Sequence, residues 1–338
     1  MAVDTYFIIG VVECAVQLIT ILANMLIIVA FFKVQSLQTH SSNVLIFALS
    51  VVDLTSGAYQ FLYIGVPYAL RLNPPLAENG CMIAVVLEYV YFTGNILLVA
   101  ISIDRVLLVS MDYSRYVKTV TNLRLKVTIG VCVLIGQLGS VFELSLWNYA
   151  KRTNEVAANI NFVEVCFWPV RRLKWFGIYV SVCQYCLPLL LVAVFSIIFV
   201  RRLLIRIHRN RRVGPEASNT DSNEGSARLS ENQTVGSTSS DTNHGSVKKR
   251  YIKSAVTLAA LVSAMGISML PYCIYLIVVS LTGSFNSTLT FSMYLVLPLN
   301  PLLDPLFFAA TQRGIREYYG NKIRTLPRIF TSFRCNTN

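Results

Sequence analysis

Residues 82–110 read MIAVVLEYVYFTGNILLVAISIDRVLLVS. The run is 29 residues long and almost wholly apolar, while a helix crosses the hydrocarbon core of a bilayer in roughly 20 residues. It nevertheless carries Glu88, Asn95, Asp104 and Arg105. Ionisable side chains inside a membrane helix are costly, and they persist where they face the interior of a bundle and act there. A span of this kind needs other spans around it. Six further apolar runs supply them, at about 6–32, 42–70, 125–147, 175–200, 252–281 and 288–310. Their lengths exclude a membrane β-barrel, whose strands are about 10 residues long and alternate in polarity. Backbone groups in lipid must be satisfied within the segment, so the runs are expected to be helices. The fold class read here is all-α, a seven-helix transmembrane bundle.

Composition agrees. The chain is 54% hydrophobic and 14% charged, with a mean hydropathy of +0.57, too little charge for a soluble domain of 338 residues. The net charge of +12 raises nucleic acid as a partner. The Lys and Arg residues sit between the apolar runs and form no basic stripe on a soluble face, so no nucleic-acid partner is expected. The eight cysteines and three histidines show no metal-ligand spacing. HExxH, GxGxxG and GxSxG are absent, and the chain is not read as an enzyme.

Charge sets the orientation. With the N-terminus outside, the cytoplasmic connections hold 22 Lys and Arg residues and the outer loops six, so the N-terminus is extracellular and the C-terminus cytoplasmic. Trp147, Trp168 and Trp175 then fall near the outer interface. The first span is preceded by about five residues and lacks a signal peptide's basic start and cleavage site. No large ectodomain is expected. Four segments follow: 1–213 with the first five spans, 214–247, 248–310 with the last two, and 311–338 as a short amphipathic helix and tail. Residues 214–247 are rich in Ser, Thr, Asn and Gly, lack the apolar side chains to bury, and are expected to be disordered. Ser237-Thr238-Ser239-Ser240 in this loop is either a phosphorylation site or plain solvated linker. From Gln312 to Ile323, Ile315, Tyr318, Tyr319 and Ile323 are expected to face lipid, and Arg313, Arg316 and Lys322 the headgroups. Asn286-Ser287-Thr288 is a sequon on an outer loop, and Cys335 a distant palmitoylation candidate.

The polar residues within the spans occur in a particular order. Asn24 lies in the first and Leu49-Ser50-Val51-Val52-Asp53-Leu54 in the second. Asp104-Arg105 ends the third. Pro188 lies in the fifth and Pro271-Tyr272 in the sixth. The seventh reads Leu299-Asn300-Pro301-Leu302-Leu303-Asp304-Pro305-Leu306-Phe307-Phe308. Together these resemble the rhodopsin-like (class A) G-protein-coupled receptors along nearly the whole chain. The resemblance implies a multi-pass plasma-membrane receptor for a small extracellular ligand. It activates a heterotrimeric G protein by opening the cytoplasmic ends of helices 3, 5 and 6, with arrestin and a receptor kinase as further partners and no cofactor.

The resemblance also implies roles. Cys81 matches the family's outer cysteine of helix 3 and would pair with Cys166, a bridge worth about 3–5 kcal/mol in the entropy model. Glu88, followed by Tyr89, stands seven residues beyond Cys81, where amine receptors of the muscarinic and histamine kind carry an acid that pairs with the ligand's ammonium. Tyr272 matches an aromatic lining such pockets, and Tyr89, Gln184 and Tyr294 join it if they point inward. Counted back from Arg105, however, Glu88 is one residue out of step, about 100° of helix rotation. Glu88 is therefore a ligand counter-ion, a structural acid, or turned elsewhere with Leu87 in its place. Asp53 matches the buried sodium-site acid, with Asp304, Asn24 and Asn300 nearby. Two close carboxylates in a dry interior hold a sodium ion or share a proton. Asp104 and Arg105 match the G-protein coupling pair. Several positions depart from the family: Val106 after the Asp-Arg pair, Ser268-Met269 before Pro271, Ser196 in helix 5, Phe308 in helix 7, and no Trp in the core of helix 4. No acid stands at the base of helix 6, where Lys248-Lys249-Arg250-Tyr251-Ile252-Lys253 is basic, so a raised basal activity is expected. The competing reading is a chemosensory or peptide-binding member with Glu88 structural. An opsin is disfavoured because helix 7 has no Lys, and a transporter or channel because no repeated halves occur.

Overall fold

The computed structural model describes residues 2–38, 41–70, 78–153, 173–212, 240–283, 289, 292–293, 295–312 and 314–322. Among these no strand occurs. Helix α1 is Ala2–Lys33. Helix α2 is Ser41–Gln60, continued by a wide turn at Phe61–Gly65 and by Val66–Ala69. Helices α3 and α4 are Glu78–Ser110 and Asn122–Thr153. Helix α5 is built from Lys174–Tyr179, a wide stretch Val180–Cys186, and Leu187–Arg212. Helix α6 is Ser240–Thr282 and α7 is Leu299–Thr311. Six of these are long and apolar enough to cross a membrane among the described residues. The seventh is described only for its inner part.

The helices pack as a closed ring. Neighbours α1–α2, α2–α3, α3–α4, α5–α6, α6–α7 and α7–α1 touch, and α3 also packs along α5. Helix α3 is thus the centre, as its mixed composition implies. Helix α1 shows how such a sequence sorts itself. Leu18, Ile19, Leu22, Met25, Leu26 and Val29 lie exposed, while Glu13, Gln17, Thr20 and Asn24, spaced by four, three and four residues, are buried. The polar stripe turns inward and the apolar face outward, the reverse of a soluble helix.

Prolines shape the spans. A proline has no N–H for the carbonyl four residues back. The wide turns Phe61–Gly65 and Val180–Cys186 each end just before one, Pro67 and Pro188. In lipid the freed carbonyl must find another donor. Pro188 releases Gln184, and Asn95 Nδ2 donates to the Gln184 carbonyl at 3.4 Å. Pro305 releases Pro301, whose carbonyl accepts Asn24 Nδ2 at 3.1 Å. Pro301 releases Leu297, whose carbonyl accepts the Tyr91 hydroxyl at 3.2 Å.

Several boundaries differ from those read in the sequence. Helix α6 begins at Ser240, so the eight residues to 247 are helical rather than disordered; residues 213–239 lie outside the described residues. Hydropathy marks only the length in lipid, whereas helices run on into water where Lys, Arg and a Ser-Asp start favour them. After α7 the chain is extended at Gln312 and turns helical at 314–322. Ile315 does not face lipid: it is buried against Ile27, Leu37 and Ile46 at the cytoplasmic end. Tyr319 donates its hydroxyl to the Leu26 carbonyl at 2.6 Å, tying this short helix to α1.

Candidate ligand and coupling sites

The inner acids come first, because the bundle closes around them. Asn24, Asp53, Asn300 and Asp304 are all buried, Asp304 completely. Gly94 of α3 packs beside Asp53, where a Cβ would be in ordinary contact with Oδ1 at 3.5 Å. Asp53 on α2 and Asp304 on α7 are buried on helices that touch one another. Asn24 spends its amide N–H groups on the Thr20 and Pro301 carbonyls. What remains unpaired is Asn24 Oδ1, Asp53 Oδ2, Asn300 Oδ1 and both Asp304 oxygens. The unspent atoms are all oxygens, and three of the five belong to carboxyl groups without an ion pair among the described residues, a donor set that suits a hard cation.

Toward the outer side, Glu88, Tyr89, Gln184 and Tyr272 are all buried. Tyr89 and Gln184 meet at Gly139 of α4, where a Cβ would overlap the Tyr89 ring and lie 2.8 Å from Gln184 Nε2. A column of edge-on rings then runs Tyr89–Phe92–Tyr185–Tyr272, with centroids 5.1, 5.0 and 5.2 Å apart. It links α3, α5 and α6. The wide turn of α5 lets the consecutive Gln184 and Tyr185 both point inward. Glu88 is about 100° round the helix from Tyr89 and shares a turn with Tyr91, which bonds to Leu297 before α7. Tyr294 lies outside the described residues.

The acid beside the ring column is one the sequence reading passed over. The Tyr89 hydroxyl donates to Glu143 Oε2 at 2.8 Å, and Glu143 of α4 is fully buried. A lone carboxylate in an apolar span was itself the signal.

The expected Cys81–Cys166 bridge falls on side chains outside those described. Among the described residues a disulfide is formed between Cys186 of α5 and Cys273 of α6, whose Cα atoms are 6.9 Å apart. It fastens the two helices beside Pro271 and Pro188.

At the cytoplasmic end Asp104 is buried and accepts the Tyr116 hydroxyl at 2.7 Å. Tyr116 belongs to a short helix, Tyr113–Thr119, between α3 and α4. Arg105 next to it is half-buried. Arg206 Nη1 of α5 donates to the Val109 carbonyl of α3 at 3.2 Å, so α3 and α5 are joined one turn beyond Arg105.

Comparison with individual curated proteins finds no match. The family model described as "7 transmembrane receptor (rhodopsin family)" matches residues 23–308, from the turn of Asn24 to Phe308. This covers most of the chain, and the geometry above places its polar residues inside the ring as such a bundle requires. The chain belongs to the rhodopsin family of seven-transmembrane receptors, multi-pass plasma-membrane proteins that bind a ligand, signal through G proteins and catalyse no reaction.

Proposed function

We propose that the ligand is a small cationic amine held among α3, α5, α6 and α7, and that Glu88 pairs with its ammonium. The observation that carries this reading is a buried Glu88 on α3, the helix whose Tyr89 and Phe92 begin the ring column that continues through Tyr185 and Tyr272. A carboxylate in a low-dielectric interior needs a cation, and the faces of tyrosine rings favour the same charge. Tyr89, Gln184, Tyr272 and Tyr294 complete the pocket. Binding draws the outer ends of the helices together and favours the state in which α6 pivots about Pro271. A cleft then opens beside Asp104 and Arg105, and the G protein enters it. Asp53 and Asp304, with Asn24 and Asn300, hold a sodium ion that favours the resting state. Arrestin and a receptor kinase act on the cytoplasmic face, the kinase at Ser237–Ser240.

The test is a panel of biogenic amines read by G-protein activation in cells, wild type against Glu88→Gln. At least one amine activates the wild type, and the variant at equal surface expression loses that response by tenfold or more. An unchanged response in E88Q rejects the assignment. A second reading, a chemosensory or peptide receptor with Glu88 structural, draws on one observation: the pocket tyrosine Tyr89 bonds Glu143 rather than Glu88. A wild type silent to every amine, together with an active non-amine ligand, establishes it. Replacing sodium by N-methylglucamine in the same assay raises agonist affinity in the wild type and leaves Asp53→Asn unaffected if the sodium reading is right.

A further inference from the structure

Glu13 and Gln17 of α1 lie outside every role described so far, yet they are 4% and 0% exposed. Gln17 Nε2 donates one N–H to Glu13 Oε1 at 2.8 Å and the other to Gln60 Oε1 of α2 at 2.6 Å. Gln60 Nε2 in turn points at Ser56 Oγ, 3.3 Å away. The donors of Gln17 are thereby spent. Glu13 Oε2 and Gln17 Oε1 remain buried and unpaired, so the unspent atoms of this network are acceptors. Both are denied water by the bundle, and an uncompensated buried acceptor costs free energy, most of all on a carboxylate.

The surroundings are built to hold this network tightly. Gly57 of α2 packs on this face of α1, where a Cβ would sit 3.3 Å from Ile21 Cγ1 and 3.4 Å from Gln17 Oε1. At Gly10 a Cβ would overlap the backbone of Ala69, and at Gly65 it would lie 2.8 Å from Cys14 Sγ. The wide turn Phe61–Gly65 follows Gln60 directly, and such turns recur at functional sites. Glu13 stands eleven residues before Asn24, about 16 Å along the helix toward the outside. The network is therefore remote from Asp53 and near the outer edge of the hydrocarbon.

We propose that Glu13, with the side-chain oxygens of Gln17 and Gln60, forms a second cation subsite between α1 and α2, filled from outside. Its occupant is a small monovalent cation, either a free sodium ion or the ammonium end of an amine. Both offer what the site lacks, a positive charge to its carboxylate and a partner to its amide oxygen. This inference does not depend on the assignment of Glu88.

The experiment uses the full-length receptor, purified in nanodiscs and carrying Asp53→Asn and Asp304→Asn, which silences the inner acids whatever they hold. Thermal midpoints are compared in sodium chloride, ethylammonium chloride and N-methylglucamine chloride at one ionic strength. Sodium or ethylammonium raises the midpoint by about 2–4 °C over N-methylglucamine, and which of the two does so identifies the source. Adding Glu13→Gln, which keeps the shape and removes the charge, abolishes the rise. Gln17→Leu, which keeps Glu13 but removes the amide oxygen, reduces it by at least half. The proposal is overturned if neither cation shifts the midpoint of the D53N/D304N protein, or if the rise survives E13Q.

Discussion

Asp104 illustrates what a single residue does here. Its carboxylate, next to Arg105, is held by the Tyr116 hydroxyl at 2.7 Å, a bond that also fixes the Tyr113–Thr119 helix against α3. Hydrogen bonds to charged groups contribute about 1.5–3 kcal/mol. Tyr116→Phe keeps the ring and removes the bond, and lowers stability by an amount in that range, read as a fall in the thermal midpoint of the purified receptor. A midpoint unchanged within error would show that the bond contributes nothing. Residue identity explains why some of these groups were legible in the sequence. Asp53, Asp104, Arg105, Asn300 and Asp304 stand out because each is expensive in lipid and each falls in a known order. Glu13 and Glu143 are equally expensive, but no pattern surrounds them, and the side of the helix each takes is set by how α1 and α4 rotate.

At the scale of elements, prolines and buried amides work in pairs. Asn95 on α3 supplies the donor that Pro188 withholds from Gln184 on α5. Asn95→Ala therefore costs about 1–3 kcal/mol. Pro188→Ala restores a backbone N–H to α5 and recovers part of that loss, so the two changes couple in a double-mutant cycle by at least 0.5 kcal/mol. Additive midpoints in the four proteins would disprove the pairing. Glycines divide in a comparable way along α4. Gly139→Ala drives a methyl into the Tyr89 ring and Gln184 and costs about 1–3 kcal/mol by overpacking. Nothing lies within 4 Å of a Cβ at Gly130, so Gly130→Ala in the same helix is neutral or stabilises by up to about 1 kcal/mol. Equal expression and equal midpoints for the two variants would refute this reading of the α3–α4 contact. The Cys186–Cys273 bond was not legible at all, because the partners are 87 residues apart and nothing in their spacing pairs them.

The whole molecule is a bundle whose resting state must be held by something at the cytoplasmic end. Two turns into α6 the residues from Lys248 to Lys253 are basic, and none of them is a carboxylate that could restrain Arg105. The joints seen near Arg105 run instead to α5 and to the Tyr113–Thr119 helix. The balance between resting and active packings is then expected to shift toward activity in the absence of ligand. Wild-type receptor expressed without agonist is expected to raise G-protein activation at least twofold over mock-transfected cells. Replacing Lys253 with Glu, which supplies the missing acid, is expected to bring it down. Surface-expressed protein with no ligand-independent signal would count against this balance.

The number of spans, their orientation and the positions of the costly inner side chains follow from the chain's own composition, because lipid tolerates only long apolar helices and strongly penalises every charge placed in them. Helix rotation, the turns widened ahead of Pro67 and Pro188, and the partners of Tyr89, Asn95, Gln17 and Cys273 were settled by packing. A side chain's neighbour across the bundle depends on close approach at glycines and on carbonyls freed by prolines, and these act between segments far apart in the sequence.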